Sequence, residues 1–373
     1  MFQFEQNLEH EIRALQKPKP TFIFPEYDDP RVLIAASRLL PLVQVMFPVN
    51  CDTLRELIQQ HKLPLEMSID EFLSRIVCVD LARQADYQAL FGQELARLSQ
   101  GKKWEINEKT GVELMAEPLN FSIMAVRQGF TEAILGGLVL ASKDYFVPCL
   151  RILKKEATVF ELGLFVLPDE HPTRIFKENI AVFSDVAINP APDAEALANI
   201  AVGTCQIVRD IIPNSLLPQV NGAIISYSTK GSGGGPPVDL VRTAGELIPA
   251  KLQALGIRDK RYLSIHIDWE LQISVALSEA AARKKIKSAD RSPAAGNANV
   301  LIVSNLDFGN ALYHLYATTW PHSLKMLQVG GIFGQALDFS RSSTAEDVVL
   351  AGKALCLQHL KRADFTGTKN CFE

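Results

Sequence analysis

Short apolar runs alternate along this chain with segments whose apolar residues recur at helical spacing. The first run, Thr21–Phe24, stops at Pro25 and is followed by a helical pattern over Arg31–Ala36. Similar runs predict strands at 76–79, 159–167, 180–188, 222–225, 262–267 and 300–303. Helical patterns cover 52–62, 69–76, 82–100, 144–155, 192–211, 238–255, 271–285 and the residues from 309 onward. Such alternation is typical of parallel sheets with βαβ crossovers, so we predict an α/β fold.

Length and composition narrow the class of protein. A chain of 373 residues is longer than one typical core supports, which predicts two domains. Hydrophobic residues make up 47%, charged residues 21%, and the net charge is −4, so there is no basic field for nucleic acid or a membrane surface. We therefore expect a small-molecule partner.

The cysteines and the N-terminus indicate a compartment. The six cysteines are scattered without a Cys-x-x-Cys pair, which argues against a zinc site and fits a reducing environment. The first residues contain neither a basic region nor a long apolar region, and no run reaches the roughly 20 apolar residues of a membrane helix. We expect a cytoplasmic protein.

The segment Asp338–Asp347 combines hydroxyls, a guanidinium and carboxylates at a predicted helix start. Thr344 is a favourable N-cap, and Asp347 supplies an acid to the first turn, so a helix should begin near residue 344. Its free N–H groups and positive dipole end would point at Ser340 and Arg341, which suits an anion beside a proton acceptor. The alternative is a capped helix with a surface arginine.

A second segment, Ser226–Pro237, follows the apolar run at 222–225 and precedes a predicted helix. It contains several hydroxyls, Lys230 and a series of glycines, which together offer open backbone amides and a cation to a phosphate-bearing ligand. The order Gly-x-x-x-x-Gly-Lys-Ser/Thr of a P-loop is missing. A purely structural, flexible loop is the alternative.

Five motifs occur in one order along the chain: Ser226–Gly233, Asp268–Gln272, Ala295–Ile302, Asp307–Tyr313, and Phe339–Arg341 followed by Asp347. Together they resemble the phosphate acetyltransferase (phosphotransacetylase) family, which includes phosphate butyryltransferases, from residue 25 to about residue 350. The resemblance implies two α/β domains flanking a cleft, the fold of isocitrate and isopropylmalate dehydrogenases, and a homodimer. The family moves an acyl group between coenzyme A and inorganic phosphate, without a metal or a covalent intermediate.

With this fold we expect residues 1–155 and 329–373 to form one domain and residues 156–328 the other. The segment at 338–347 would then face the loop at 226–235 across the cleft.

The resemblance also assigns roles to residues. Asp347 matches the base for the thiol, Ser340 a hydroxyl that hydrogen-bonds the reacting carbonyl, and Arg341 an active-site cation. A thiol pKa lies some four to five units above that of an ordinary carboxylate, so moving the proton is roughly 6 kcal/mol uphill, and we expect a nearby arginine and the helix N-terminus to stabilise the thiolate or a partner of raised pKa. Coenzyme A, as a substrate rather than a permanent cofactor, is expected at Ser226, Ser228, Thr229, Lys230, Gly231, Ser232, Ser142 and Arg97.

Two departures fall where the family holds its anion. Val147 and Thr318 each occupy the place of a family arginine, and Lys143, Arg127 and Lys230 are candidates for a compensating cation. Three hypotheses stay open. The first is a phosphate acetyltransferase, or a variant for a longer acyl group such as butyryl. The second is a degenerate member that binds coenzyme A or a nucleotide as a sensor or scaffold. The third is an oxidoreductase on the related dehydrogenase fold, for which the sequence contains no Gly-x-Gly-x-x-Gly fingerprint.

Overall fold

The computed structural model describes residues 2–168, 176–333 and 335–362. Contacts divide the chain into two compact units, of which unit 1 comprises Met1–Glu11 and Glu156–Gly331, and unit 2 comprises Ile12–Lys155 and Ile332–Glu373. The first eleven residues therefore belong with the middle of the chain, whereas the sequence placed them with the residues that follow. Residues 2–11 form the larger part of α1, Phe2–Ala14.

Five strands of unit 2 pair in parallel in the order β3-β2-β1-β4-β11. Their ranges are β1 Thr21–Ile23, β2 Gln44–Phe47, β3 Val77–Cys78, β4 Ala133–Gly136 and β11 Gln335–Asp338. Because all five run the same way, their carboxyl ends lie at one edge, where ligand sites of open parallel sheets are usually built.

Eight helices of the described part of unit 2 accompany these strands: α2 Pro30–Leu39, α3 Cys51–His61, α4 Ile69–Arg75, α5 Ala85–Ser99, α6 Glu108–Leu114, α7 Pro118–Gln128, α8 Ser142–Ile152 and α14 Ala345–Lys361. Side-chain oxygens of Asp29, Asn50, Ser68 and Thr344 cap the helices that follow them. Aromatic residues such as Phe91 and Phe121 are fully buried in the core of this unit.

The strands of unit 1 are β5 Lys154–Val166, β6 Ile180–Ser184, β7 Val220–Ile225, β8 Ile265–Leu271, β9 Val300–Ile302 and β10 Leu324–Phe333. β5 is antiparallel to β6, whereas β6, β9, β7 and β8 are parallel neighbours in that order. The helices are α9 Ala194–Ile211, α10 Pro236–Arg258, α11 Ile273–Leu277, α12 Glu279–Lys285 and α13 Leu306–Thr319. Every residue of β7 is buried, as expected for a parallel strand with neighbours on both sides.

Several predicted boundaries need correction. Helix α8 begins at Ser142 rather than at residue 144, so Pro148 lies inside the helix and not in its first turn, and Lys154 already belongs to β5. The predicted helix at 271–285 is two helices, because the Ser278 hydroxyl caps a new start at α12. The predicted strand at 262–267 begins only at Ile265, after a 3-10 helix.

The cysteines are less scattered in space than in sequence. Cys51 and Cys78 form a disulfide, while Cys149, Cys205 and Cys356 are buried free thiols. Cys371 lies outside the described residues. The scattered cysteines, which we interpreted as fitting a reducing environment, did not predict this disulfide. Among the described helices, none combines the length and the hydropathy needed to cross a membrane.

Candidate active site

The segment Asp338–Asp347 that the sequence singled out begins at the carboxyl end of β11 in unit 2, beside the carboxyl ends of β1 and β4. β1 leads to Glu26, β4 leads to the loop 137–141 before α8, and β11 leads to the turn 339–344 before α14. β4 pairs in parallel with both β1 and β11, so the three segments leave the sheet at the same edge. This edge is the candidate active site.

The carboxylate of Glu26 shapes the loop after β4. It is buried, and it accepts hydrogen bonds from the backbone N–H groups of Leu138 at 2.8 Å and of Val139 and Leu140 at 3.1 Å each. Hydrogen bonds to an ionised carboxylate are stronger than those between neutral groups, so these three bonds fix the path of the chain into α8. Ser142 is the first residue of that helix.

The turn after β11 is organised by its own serines. The Ser343 N–H donates to the carbonyl of Ser340 at 2.8 Å, and the hydroxyls of Ser340 and Ser342 lie 2.9 Å apart. Arg341 and Ser342 are exposed, whereas Ser343 is buried. The backbone of the turn is therefore fixed by the hydrogen bond between Ser343 and Ser340, and the Arg341 side chain is exposed to solvent.

Asp347 lies in the first turn of α14, as predicted, and forms a capping box with Thr344. Its Oδ2 accepts from the Thr344 N–H at 2.8 Å and from the Thr344 hydroxyl at 3.1 Å, and that hydroxyl accepts from the Asp347 N–H at 3.2 Å. Only 3% of the residue is exposed. The carboxylate is thus held at the positive end of a helix, seven residues after Ser340.

Arg31, on the first turn of α2, links these segments and was not identified from the sequence. Its Nη1 donates to the carbonyls of Arg341 at 2.9 Å and Ser343 at 2.8 Å, and its Nη2 donates to the carbonyl of Leu138 at 3.2 Å. Hydrogen bonds to Asp29 raise the pKa of the Arg31 guanidinium. One side chain therefore connects the turn after β11 to the loop after β4.

The loop from Ser226 to Gly235 in unit 1 is organised around Glu270. The Glu270 carboxylate accepts from the Ser228 hydroxyl and the Gly231 N–H, both at 2.7 Å, and from Arg242 Nε at 2.9 Å. Burial raises the pKa of Glu270, but the hydrogen bonds from Arg242, Ser228 and Gly231 outweigh this effect and lower it to about 2.

Other donors of the loop are also used within the chain. The Thr229 N–H donates to the Ser232 hydroxyl at 2.8 Å, the Ser226 hydroxyl accepts from the Ser228 N–H at 3.1 Å, and Lys230 pairs with Asp268. The prediction that this loop offers open amides is therefore wrong for Thr229 and Gly231, whose N–H groups are engaged by a hydroxyl and a carboxylate. Binding of coenzyme A by the loop stays a prediction.

The remaining predicted cations differ in their surroundings. Arg97, at the end of α5, is exposed and bonds Glu94 at 2.6 Å. Arg127 bonds the same carboxylate at 3.2 Å and the carbonyl of Ile152 at 2.6 Å, so it connects α7 to the end of α8. Lys143 is exposed in the first turn of α8.

The two residues that replace family arginines, Val147 and Thr318, lie in different units. Val147 is half-buried in α8 of unit 2, and Thr318 is exposed in α13 of unit 1. Neither side chain carries a charge that could bind an anion.

Comparison with known proteins identifies the family of this chain. The family model described as phosphate acetyl/butaryl transferase matches residues 4–353. The chain belongs to this family. It is 30% identical over 344 residues to the phosphate acetyltransferase of Clostridium acetobutylicum, covering 90% of this chain and 92% of the relative. It is 28% identical over 342 residues to that of Thermoanaerobacterium thermosaccharolyticum, covering 91% and 94%.

Solved structures agree with the family at the level of the fold. The EutD phosphotransacetylase from Staphylococcus aureus superposes with a TM-score of 0.75 at 24% identity, covering 95% of this chain and 98% of that one. A phosphotransacetylase from Streptococcus pyogenes gives the same TM-score and coverage at 25% identity. The chain therefore has the mixed α/β fold of phosphotransacetylases.

Two of the motifs that mark the family have structural explanations. A Cβ on Gly309 would lie 2.0 Å from the carbonyl oxygen of Asp185, and one on Gly296, whose φ is +87°, would lie 2.6 Å from the backbone of Glu279. Both positions therefore require glycine for close packing. Within the described residues, no group of three or more His, Cys, Asp or Glu side chains is placed to hold a metal ion.

Proposed function

We propose that this family member catalyses the reversible reaction of acetyl-CoA with inorganic phosphate to give acetyl phosphate and coenzyme A. The observation that carries the proposal is the segment after β11, in which Ser340, Arg341 and the helix-capping Asp347 follow one another at the carboxyl edge of parallel strands. The isocitrate dehydrogenase-like fold and the two-domain division expected from the sequence belong to the same proposal.

In the direction of acetyl-CoA synthesis, Asp347 accepts the thiol proton of coenzyme A. The thiolate attacks the carbonyl carbon of acetyl phosphate, and the bond from that carbon to the bridging oxygen breaks, which releases phosphate. The Ser340 hydroxyl donates to the carbonyl oxygen as negative charge develops there, and Arg341 binds the departing phosphate. The roughly 6 kcal/mol needed to move a proton from a thiol to an ordinary carboxylate is offset in part by Arg341, whose positive charge stabilises the thiolate that forms.

The anion subsite is expected to be weak. Val147 and Thr318 stand where the family's arginines are expected, and each charged hydrogen bond to phosphate contributes about 1.5–3 kcal/mol. The described bonds of Arg127 and Lys230 are to Glu94, Ile152 and Asp268, so these side chains are committed within the fold. We infer that phosphate binding relies chiefly on Arg341.

A longer acyl group is the second candidate substrate, and one observation favours it. Val139 is 53% exposed in the loop after β4, which makes it a rare exposed large apolar side chain among the described residues. Arg31 holds this loop through the Leu138 carbonyl and the catalytic turn through the Arg341 carbonyl. An apolar side chain at that position suits butyryl better than acetyl, because burying a methylene gains about 0.8 kcal/mol.

The test is coenzyme A release from acetyl-CoA and butyryl-CoA in the presence of phosphate, with Asp347→Asn as the decisive variant. Asparagine keeps a carbonyl oxygen for the Thr344 N–H but cannot take a proton, so kcat/KM should fall roughly 100-fold or more. The matched control is Glu346→Gln, which changes the neighbouring exposed acid of the same turn and should leave activity nearly unchanged. Binding of coenzyme A without turnover of either substrate would support the sensor hypothesis instead.

A further inference from the structure

Two cysteines meet at the carboxyl edge of the unit 2 sheet. Cys78 is the last residue of β3 and pairs in register with Phe47 at the end of β2. Cys51 follows Phe47 by one short turn and begins α3. Their Cα atoms are 5.7 Å apart, within the range for a disulfide, and the structure joins their sulfurs.

The crosslink closes a peripheral part of the unit. It encloses α3, α4 and the two-residue strand β3, which is the last strand on its side of the sheet order. Leu54 and Ile58 of α3 and Phe72 of α4 are the buried residues of these two helices. Because so few side chains anchor this segment, opening the bond should loosen the segment without disrupting the main core.

The two sulfurs differ from the other described cysteines in their chemistry. Cys51 and Cys78 are half-buried, whereas Cys149, Cys205 and Cys356 are buried. Burial raises the pKa of all three buried thiols, that of Cys356 to about 12, so they are poor nucleophiles. Cys51 lies at the N-terminus of α3, where the helix dipole stabilises a thiolate. Among the five cysteines that the structure describes, thiol reactivity is therefore concentrated at this pair.

We propose that Cys51 and Cys78 form a reversible modification site that undergoes thiol–disulfide exchange with low-molecular-weight disulfides such as oxidised glutathione. The Cys51 thiolate attacks one sulfur of the glutathione disulfide, whose S–S bond breaks and releases one glutathione thiolate. The Cys78 thiolate then attacks Cys51 Sγ in the mixed disulfide and expels the second. Two protein thiols are oxidised, one small disulfide is reduced to two thiols, and the two protons pass to the released thiolates.

The first experiment equilibrates the full chain in buffers of stepped reduced-to-oxidised glutathione ratio, quenches with acid, alkylates the free thiols and measures the Cys51–Cys78 peptide by mass spectrometry. The crosslinked fraction should follow the ratio and be the same when approached from either side, with Cys149, Cys205 and Cys356 remaining reduced. Absence of the crosslink in excess oxidised glutathione, or a crosslink that glutathione cannot reduce in the folded chain, would overturn the proposal.

Single variants identify the attacking thiol. Cys78→Ser should accumulate a mixed disulfide between glutathione and Cys51, because the resolving thiol is gone. Cys51→Ser should leave Cys78 largely unmodified under the same conditions. The reverse pattern would show that Cys78 is the nucleophile and would refute the assigned order of the two steps.

The melting temperature gives a readout that does not depend on activity. The oxidised chain should melt several degrees above the reduced chain, because the bond restricts the unfolded state of the enclosed segment. The double variant Cys51→Ser/Cys78→Ser should show no difference between oxidising and reducing buffers. Equal melting of the oxidised and reduced natural chain would contradict the role of the bond in fixing this segment.

Discussion

At the scale of single residues, Arg31 explains how the turn 339–344 of the proposed active site is fixed. Its guanidinium contacts three backbone carbonyls in two loops, which a planar fork with several N–H donors can do and a single ammonium cannot. Arg31→Lys should therefore lower kcat/KM roughly 10-fold or more by loosening the position of Ser340 and Arg341. Steady-state kinetics with acetyl-CoA and phosphate measure the effect.

The control for this variant is Arg38→Lys, on the same helix. Arg38 pairs with Glu346 at 3.1 Å and with Glu66 at 3.6 Å, and both partners are exposed. Exposed ion pairs contribute little, so activity should change less than about twofold. Unchanged activity in Arg31→Lys would show that the turn does not depend on this contact.

A substitution at Val147 tests whether the anion subsite lacks a cation. If phosphate lacks a cation there, Val147→Arg should lower the KM for phosphate about 10-fold, since one charged hydrogen bond contributes about 1.5–3 kcal/mol. Val147→Met, of similar length but without charge, should leave that KM unchanged. A natural chain that already binds phosphate as tightly as its relatives would mean that another residue holds the anion.

The sequence identifies some of these residues and not others for a physical reason. Ser340, Arg341 and Asp347 lie within eight positions, so one motif and one helix cap reveal them together. Arg31 acts on carbonyls 310 and 312 positions away, and such a pairing leaves no local pattern.

At the scale of elements, apolar runs and helix caps predicted most of the long helices and several short strands, but not α1, α6, β2, β10 or β11. Thr344 and Asp347 predict the start of α14 because a capping box is a local arrangement. β2 and β11 are four residues long and were not predicted, because their strand state depends on parallel partners distant in the sequence. The hydroxyls and glycines of the Ser226–Gly235 loop suggested a bound ligand, but Glu270, a residue distant in the sequence, accepts hydrogen bonds from the Ser228 hydroxyl and the Gly231 N–H.

This loop gives a prediction about pH. Glu270 has a pKa of about 2 in the folded chain, below the value near 4.3 of an unfolded glutamate, so its contribution to stability is present above about pH 4.3 and is lost as the pH falls toward 2. Glu270→Gln should lower the free energy of unfolding at pH 7 by on the order of 2–3 kcal/mol and flatten its fall below pH 4.5. Chemical denaturation across that range measures both effects.

Asp239→Asn is the control, since Asp239 is an exposed partner of the same Arg242 at 3.6 Å. Its effect at pH 7 should stay below about 1 kcal/mol, as for other surface pairs. If Glu270→Gln behaved like Asp239→Asn, the carboxylate would not be what organises the loop.

At the scale of the whole molecule, each unit has its own core. Phe121 is fully buried in a cluster of unit 2, and Phe183 in a cluster of unit 1. The boundaries at Lys155 and Gly331 fall inside β5 and β10, where no change of composition or linker marks them. The length of the sequence could therefore suggest two units, but the sequence could not show that residues 1–11 belong to the same unit as residues 156–331.

Separate cores predict separate effects of cavity-forming variants. Phe121→Ala and Phe183→Ala should each cost about 3–5 kcal/mol, because a buried aromatic ring is lost and the cavity collapses only in part. Amide hydrogen exchange under native conditions should rise in β1, β4 and β11 for Phe121→Ala, and in β6, β7 and β9 for Phe183→Ala, if each unit opens on its own. The two variants serve as controls for each other, since they remove the same side chain. An equal rise across all six strands in both variants would show that the two units unfold as one cooperative body.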